Sequence, residues 1–76
     1  MNTNLTSAEA RQIEDAAFHD WMTALAVQHD AWKRVDILDN SDEARAYRAA
    51  VDVSRDRGKA FEAAYAQRIE LEAAGR

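Results

Sequence analysis

A single glycine, Gly58, interrupts a stretch of helix-forming residues that extends from Ser41 to Ala74. A glycine inside a helix costs about 1 kcal/mol relative to alanine, so its presence calls for a structural reason. In an antiparallel hairpin with its turn at residues 39–42, Gly58 lies opposite Trp21, the bulkiest side chain of the preceding stretch. This match of a large residue with the smallest one predicts two helices packed in register.

The rest of the chain also favours helix. Proline is absent, glycine occurs only twice and alanine is abundant, so intrinsic propensity predicts an all-α fold. Thr6 and Glu9 match a capping box, in which each side chain satisfies the backbone N–H of the other residue, and this predicts a first helix that begins at about Ser7. Gly75 is placed to end the second helix with a left-handed cap after Ala74.

The turn between the helices is predicted from composition. Residues 39–42 (Asp-Asn-Ser-Asp) form a dense cluster of side chains that favour turns and helix N-caps. We therefore predict one helical domain over residues 1–76, with helix 1 at about 7–38, the turn at 39–42 and helix 2 at about 42–74.

A three-helix bundle is the alternative, with a break at Gly58. In that arrangement helix 2 ends at Arg57 and a third helix begins at Lys59. The break needs a residue that caps the new helix, and Lys59 and Ala60 are poor N-caps. The two-helix hairpin is therefore favoured.

Apolar residues recur every three or four positions in both stretches, which predicts one core-facing stripe on each helix. Folding at the turn opposes large residues to small ones in two layers and aromatic rings to each other in two more. The expected layers are Trp32–Tyr47, Leu25–Ser54, Trp21–Gly58 and Phe18–Phe61. Glu14 and Arg68 then meet at the open end and are expected to form a salt bridge. If the helices splay there instead, an exposed patch forms from Ile13, Ala17, Tyr65 and Ile69.

A second apolar row lies beside the core stripe of helix 2. One partner helix cannot cover so wide an arc, and small residues allow another helix to approach closely. A chain of this size also buries little surface on its own. We therefore expect a homodimeric four-helix bundle, although alanines that merely stabilise an exposed helix remain an alternative. The expected dimer seam is Ala46, Val53, Ala60, Ala64 and Leu71.

Charged residues are distributed unevenly along the chain, and this distribution bears on nucleic-acid binding. The net charge is −4, and residues 1–40 carry seven acidic and three basic side chains, whereas residues 41–76 carry seven of each. Nucleic acids are bound chiefly through clustered Lys and Arg, so this balance disfavours them. The candidate phosphate contacts are Arg45, Arg48, Arg55 and Lys59, but Asp52 and Asp56 are interleaved with them and indicate a mutually paired, solvated face.

Cysteine is absent, which excludes disulfides, thiolate metal sites and thiol nucleophiles. The N-terminal residues do not have the basic and apolar segments of a secretory signal, and no apolar run is long enough to span a membrane. From these features we expect a cytoplasmic protein.

Two His-Asp dipeptides, His19-Asp20 and His29-Asp30, resemble the paired His-Asp of metal phosphohydrolases in that dipeptide alone. On a helix the two histidines lie about 15 Å apart along the axis, too far to share one metal ion. No nucleophile lies beside a base at a recognisable spacing. We expect no enzyme activity, no cofactor and no metal.

The remaining expectation is non-enzymatic binding of another protein with a basic surface. Small acidic helical proteins without cysteine or proline are common among bacterial and phage regulators. We therefore expect an inhibitor or adaptor that occludes its target. The expected apolar anchors are Met22, His29, Tyr65 and Ile69, and the expected steering charges are Asp15, Asp20, Asp30 and Asp36. Two alternatives stay open: a nucleic-acid-binding dimer with the architecture of the helical-hairpin regulator of plasmid copy number, and a structural assembly subunit.

Overall fold

Two long α-helices make up most of the structure, a computed structural model that describes residues 5–35 and 41–75. Helix α1 spans Ser7–Lys33 and helix α2 spans Ser41–Ala73. They pack side by side in opposite directions and form a rod of 56 × 19 × 16 Å. The expected all-α antiparallel hairpin is confirmed.

The start of α1 is fixed by the expected capping box. The Glu9 backbone N–H donates to Thr6 Oγ1 at 3.2 Å, and the Thr6 backbone N–H donates to Glu9 Oε1 at 2.9 Å. Two of the backbone donors at the helix start therefore have partners within four residues of sequence.

Helix α1 ends at Lys33, before the expected boundary at about residue 38. The Arg34 N–H donates to the Ala31 carbonyl and the Val35 N–H donates to the Trp32 carbonyl, both at 3.1 Å. These bonds span three residues rather than four, and such bonds tighten the last turn of a helix. Of the expected turn, residues 39 and 40 lie outside the described residues, while Ser41 and Asp42 already belong to α2.

Helix α2 passes through Gly58 without a break, so the three-helix alternative is wrong. A Cβ atom built on Gly58 would lie 3.0 Å from Trp21 Nε1 and 3.2 Å from Trp21 Cε2. These distances are shorter than an ordinary van der Waals contact, so the indole occupies the space that a side chain at position 58 would need. Gly75 follows the helix with φ of 75°, the left-handed conformation expected of its cap.

The register of the two helices agrees with three of the four expected layers, of which Trp21–Gly58 is one. The rings of Phe18 and Phe61 have centroids 5.5 Å apart, and those of Trp32 and Tyr47 are 5.1 Å apart. In the layer between Trp32 and Trp21, the hydroxyl of buried Ser54 donates to Gln28 Oε1 across the hairpin. The polar side chains of this layer therefore satisfy one another.

The buried centre of the hairpin consists of small residues. Along α1, alanine recurs every seventh position from residue 10 to residue 31, so one edge of the helix is flat. Small side chains let two backbones approach closely, and the larger rings are then left at the sides of the contact. The buried residues are Ala10, Ala24, Ala50, Ser54 and Ala64.

Ala64 belongs both to this centre and to an outer surface. It was expected on the dimer seam, and in the single hairpin only 7% of its surface is exposed, yet it also lines an open groove described below. The line of contact on α2 includes Ala50 and Ala64, whereas Tyr65 is exposed.

Charged residues close the open end of the hairpin. Arg68 Nε lies 2.5 Å from Glu14 Oε1, and these side chains are only 15% and 13% exposed. Glu72 joins the same cluster, 3.0 Å from Arg68 Nη1 and 2.7 Å from Arg11 Nη2. The salt bridge expected from the sequence is present, so the helices do not splay at this end.

Candidate protein-binding faces

Among the residues that the structure describes, eight large apolar side chains are exposed, each by more than a third of its surface. They occupy two opposite flanks, because each helix touches only its one neighbour. The exposed residues are Ile13, Phe18, Met22, Val27, Trp32, Val53, Tyr65 and Ile69. An exposed hydrophobic and aromatic surface of this kind suggests a binding interface.

The first flank carries what we call the aromatic face, which consists of Phe18, Met22, Tyr65 and Ile69. Phe18 and Tyr65 are each exposed over almost half of their surface, at 45% and 48%. Met22 and Ile69 follow them by four residues on their helices, so they extend the patch by one turn on the same side.

The rings of the aromatic face rest on a connected set of aromatic contacts. The Phe61 ring stacks on Trp21 with centroids 5.5 Å apart and approaches Tyr65 at 6.4 Å. Phe18 meets the edge of Trp21 at 6.5 Å. Aromatic pairs at these separations attract one another, so the exposed rings are held in place before any partner binds.

Tyr65 has a further support from the charged cluster. The guanidinium carbon of Arg68 lies 5.3 Å from the centroid of the Tyr65 ring, within the range of a cation–π interaction. Arg68 is itself fixed by Glu14, and this hydrogen bond, with the charge of Glu14, raises the pKa of the guanidinium above its ordinary value despite partial desolvation. A side chain ordered in this way loses less entropy on binding.

A balanced cluster of charges borders the aromatic face. Arg11 and Arg68 are paired with Glu14 and Glu72, so two positive and two negative charges balance. Partial burial acts to raise the pKa of Glu72, but the hydrogen bonds and charges of Arg11 and Arg68 outweigh it and lower that pKa.

Two acidic residues on this flank stand apart from that balance. Asp15 lies seven residues before Met22, and Glu62 lies seven before Ile69, so both follow the same columns as the aromatic face. They add negative charge at the margin of the aromatic face, where Glu62 also shares a shallow pocket with Arg55 and Lys59.

Three of the four expected apolar anchors, Met22, Tyr65 and Ile69, come together on the aromatic face. The fourth, His29, lines a shallow pocket of about 330 Å³ nearer the turn, beside Trp32 and Tyr47. Phe18 was expected only as an internal partner of Phe61. Its position at the margin of the core stripe was the available signal that one side of its ring would remain outside.

The expected acidic residues divide between the flanks. Asp15 is on the side of the aromatic face, whereas Asp20 lines a groove on the other flank. Asp30 lies seven residues after Thr23, which lines the same groove, so it is also on the other flank. Asp36 lies outside the described residues. These positions therefore do not form one steering surface.

The second flank carries what we call the groove face. A groove of about 460 Å³ runs between the helices near the middle of the rod. Val27 of α1 and Val53 of α2 are its largest apolar residues, exposed over 56% and 46% of their surfaces. The full lining is Asp20, Thr23, Ala24, Val27, Ala46, Ala49, Ala50, Val53 and Arg57.

A second, more open groove continues the groove face toward the open end. Ile13 lines it from α1, opposite Ala60 and Ala64 of α2. Four residues of the expected dimer seam, Ala46, Val53, Ala60 and Ala64, thus line the grooves, and Leu71 is half-buried. An edge of α1 completes this face, because Ile13, Asp20 and Val27 are spaced by seven and so lie on one side of the helix.

Two opposite charges face each other across the middle of the groove face. Asp20 projects from α1 and Arg57 from α2, and both line the central groove. Within residues 5–35 and 41–75, neither side chain has an ion-pair partner. Their charges are available to a molecule that covers the groove.

The candidate nucleic-acid residues lie among acidic neighbours. Arg55 is paired with Asp52 at 2.6 Å, and Arg45 lies 4.0 Å from Asp42. Lys59 lines a shallow pocket together with Arg55 and the acidic Glu62. Arg48 is exposed on the same helix. This arrangement does not concentrate positive charge as a phosphate-binding surface does.

The chain matches no protein-family model, and no curated protein and no solved structure is significantly similar to it. Neither helix, over its described residues, is long and apolar enough to cross a membrane. In the same two ranges, no group of three or more His, Asp or Glu side chains is arranged to hold a metal ion.

Proposed function

We propose that the protein is a non-enzymatic binding module, an inhibitor or adaptor that occludes a surface of another protein through its aromatic face. The observation that carries this proposal is the exposure of Phe18 and Tyr65, two rings held by internal aromatic and cation–π contacts yet almost half open to solvent. Pre-ordered aromatic side chains are typical anchors of protein interfaces.

The proposed target presents an apolar segment flanked by basic residues. The apolar part covers Phe18, Met22, Tyr65 and Ile69. Basic side chains at its margin pair with Asp15 and Glu62, two acidic residues that do not belong to the balanced cluster of Arg11, Glu14, Arg68 and Glu72. Charge complementarity of this kind accelerates association and selects the partner, while the buried anchors supply most of the affinity.

Two synthetic amphipathic peptides test the chemistry of this target directly. One carries leucine on one helical face and lysine on the other, and the second replaces every lysine by glutamate. We expect the lysine peptide to bind and the glutamate peptide to bind at least about tenfold more weakly, as measured by fluorescence anisotropy. Equal binding of the two peptides would contradict the proposed charge selection.

A matched pair of variants locates the binding surface. Tyr65→Ser removes an anchor of the aromatic face, and we expect it to weaken binding of the lysine peptide by roughly tenfold or more. Val27→Ser removes an equally exposed apolar side chain from the opposite flank and is expected to leave that affinity unchanged. An equal effect of the two substitutions would show that the peptide does not use the aromatic face.

The native target is then sought by affinity capture from the source cell followed by mass spectrometry. A target that binds as proposed is retained by the wild-type protein and by Val27→Ser but is lost with Tyr65→Ser. Recovery of only the protein itself would overturn the proposal.

The groove face supports a second part of the proposal, pairing of two copies into a four-helix bundle. Val27, Val53 and Ile13 are exposed there beside alanines, and a lone hairpin leaves them in water. Packing against a second hairpin would bury them. Sedimentation velocity measures this directly: the expected mass is twice that of the chain, and a monomer at all concentrations would contradict pairing.

A further inference from the structure

We infer that the occupant of the groove face is a second copy of this chain, oriented with the twofold axis parallel to the helices, so that Asp20 of each copy pairs with Arg57 of the other. This inference rests on the proposed pairing and adds its orientation and its polar contacts. It makes Asp20 and Arg57 the residues that determine how two hairpins recognise each other.

The size of the groove face fits a second copy of the hairpin. The rod measures 56 × 19 × 16 Å, so a long side has a footprint of roughly 900–1,000 Å², compared below with the area of a stable interface. A stable interface needs roughly 800 Å² from each partner. A second hairpin has the same length and can cover the flank from end to end.

The shape of the groove face also fits packing against a second hairpin. Val27 and Val53 stand at the rims of the central groove, and the alanines between them leave it open. Ridges of side chains on one helix pack into grooves of another. In a twofold pair, the valines of each copy face the groove of the other.

The charges select the orientation. Asp20 is the midpoint of α1 (Ser7–Lys33), and Arg57 is the midpoint of α2 (Ser41–Ala73). If the twofold axis crosses the helices at the centre of the rod, α1 faces its own copy, and Asp20 is set against Asp20 and Arg57 against Arg57. Like charges directly opposed across an interface are unfavourable.

A twofold axis parallel to the helices instead places opposite charges against each other. It keeps every residue at its own height along the rod and places α1 of one copy against α2 of the other. Asp20 then faces Arg57 of the second copy, and the same contact forms twice. Both side chains lack an ion-pair partner within the described hairpin, so pairing of this kind gives each a counter-charge.

Charge-reversal variants test this orientation by sedimentation equilibrium. Asp20→Arg and Arg57→Asp each convert two attractive contacts into two repulsive ones, and we expect each to weaken self-association at least about tenfold. The double variant D20R/R57D restores opposite charges and is expected to associate like the wild type. Circular dichroism on each variant verifies that the helices are intact.

Mixing the two single variants shows whether these charges act between chains. In the mixed pair, the arginine introduced by Asp20→Arg meets the aspartate introduced by Arg57→Asp, and the unchanged Arg57 of the first variant meets the unchanged Asp20 of the second. We therefore expect a heterodimer from two proteins that associate poorly alone. A rearrangement inside one chain cannot produce this result, because each chain in the mixture still carries only one substitution.

Substitutions on the outward side of α2 are the controls. Asp52→Arg and Arg45→Asp make the same charge changes at side chains that are 68% and 73% exposed and line neither groove. They are expected to leave the association constant unchanged. If they weaken it as much as the groove variants do, net charge rather than the paired contact governs association, and the inference fails.

The outcomes separate the two proposals. A monomeric wild type overturns the pairing itself and the inference with it. A dimeric wild type whose single groove variants remain equally dimeric overturns the inference alone, because the crosswise axis or another surface then accounts for the dimer. Binding of the lysine peptide through the aromatic face is measured on one hairpin at a time and is independent of both results.

Discussion

The indole of Trp21 fills the space above Gly58, where a Cβ atom would lie 3.0 Å from Nε1. This contact fixes the axial register of the two helices. It also explains why a residue that disfavours helix lies in the middle of α2: the local cost of about 1 kcal/mol is offset by close packing against a tryptophan of α1.

Gly58→Leu is expected to lower the free energy of unfolding by about 1–3 kcal/mol, the usual cost of overpacking. Gly58→Ala is expected to change it by less than about 1 kcal/mol, because the gain in helix propensity opposes a small displacement of the half-buried indole. Urea unfolding followed by circular dichroism measures both.

A double-mutant cycle with Trp21→Ala shows whether the indole is the cause. In that background the space above position 58 is empty, so Gly58→Leu is expected to lose most of its destabilising effect. An undiminished effect would mean that leucine meets some other part of the hairpin.

The register could be predicted from the sequence because one match of volumes, Trp21 with Gly58, fixes every other level through the constant rise of a helix. The rotation of each helix about its axis could not. Neighbouring positions such as Ala64 and Tyr65 point about 100° apart on a helix, and alanine has too little apolar surface for periodicity to distinguish a buried face from an exposed one. The aromatic face could therefore be predicted only in part, because the exposure of Phe18 and Tyr65 depends on how each helix is rotated about its axis.

Removing one member of the Glu14–Arg68 pair is expected to destabilise the hairpin strongly. Each side chain is largely buried by its neighbours, so Arg68→Leu leaves the Glu14 carboxylate without its counter-charge. The double substitution to leucine at both positions is expected to recover much of the loss. Thermal unfolding compares these variants with Arg55→Leu, which breaks an exposed ion pair and is expected to have little effect.

The free energy of unfolding is expected to decrease at acidic pH, in part because Glu72 becomes protonated. Its pKa in the folded hairpin is below the ordinary value of 4.5, so its contribution is complete above that value and is lost as the pH falls through the folded pKa. The difference in stability between the wild type and Glu72→Gln should therefore shrink as the solution is acidified. Urea midpoints across the acid range measure it, and a constant difference would contradict the expectation.

Loss of the capping box is expected to destabilise α1 from its start. Thr6→Ala removes the acceptor for the Glu9 backbone N–H and should cost about 1 kcal/mol. Thr6→Ser retains a hydroxyl and should cost much less. Amide hydrogen exchange in the first turn distinguishes fraying of this helix end from a loss of stability throughout the hairpin.

The aromatic and groove faces lie on opposite flanks of a rod that is only two helices wide, so covering one leaves the other open. A pair joined through its groove faces then shows two identical aromatic surfaces that point away from each other. If both proposals hold, such a pair would be a bivalent connector that tethers two target molecules back to back. For two linked targets, binding of the first would raise the effective concentration of the second at the other surface.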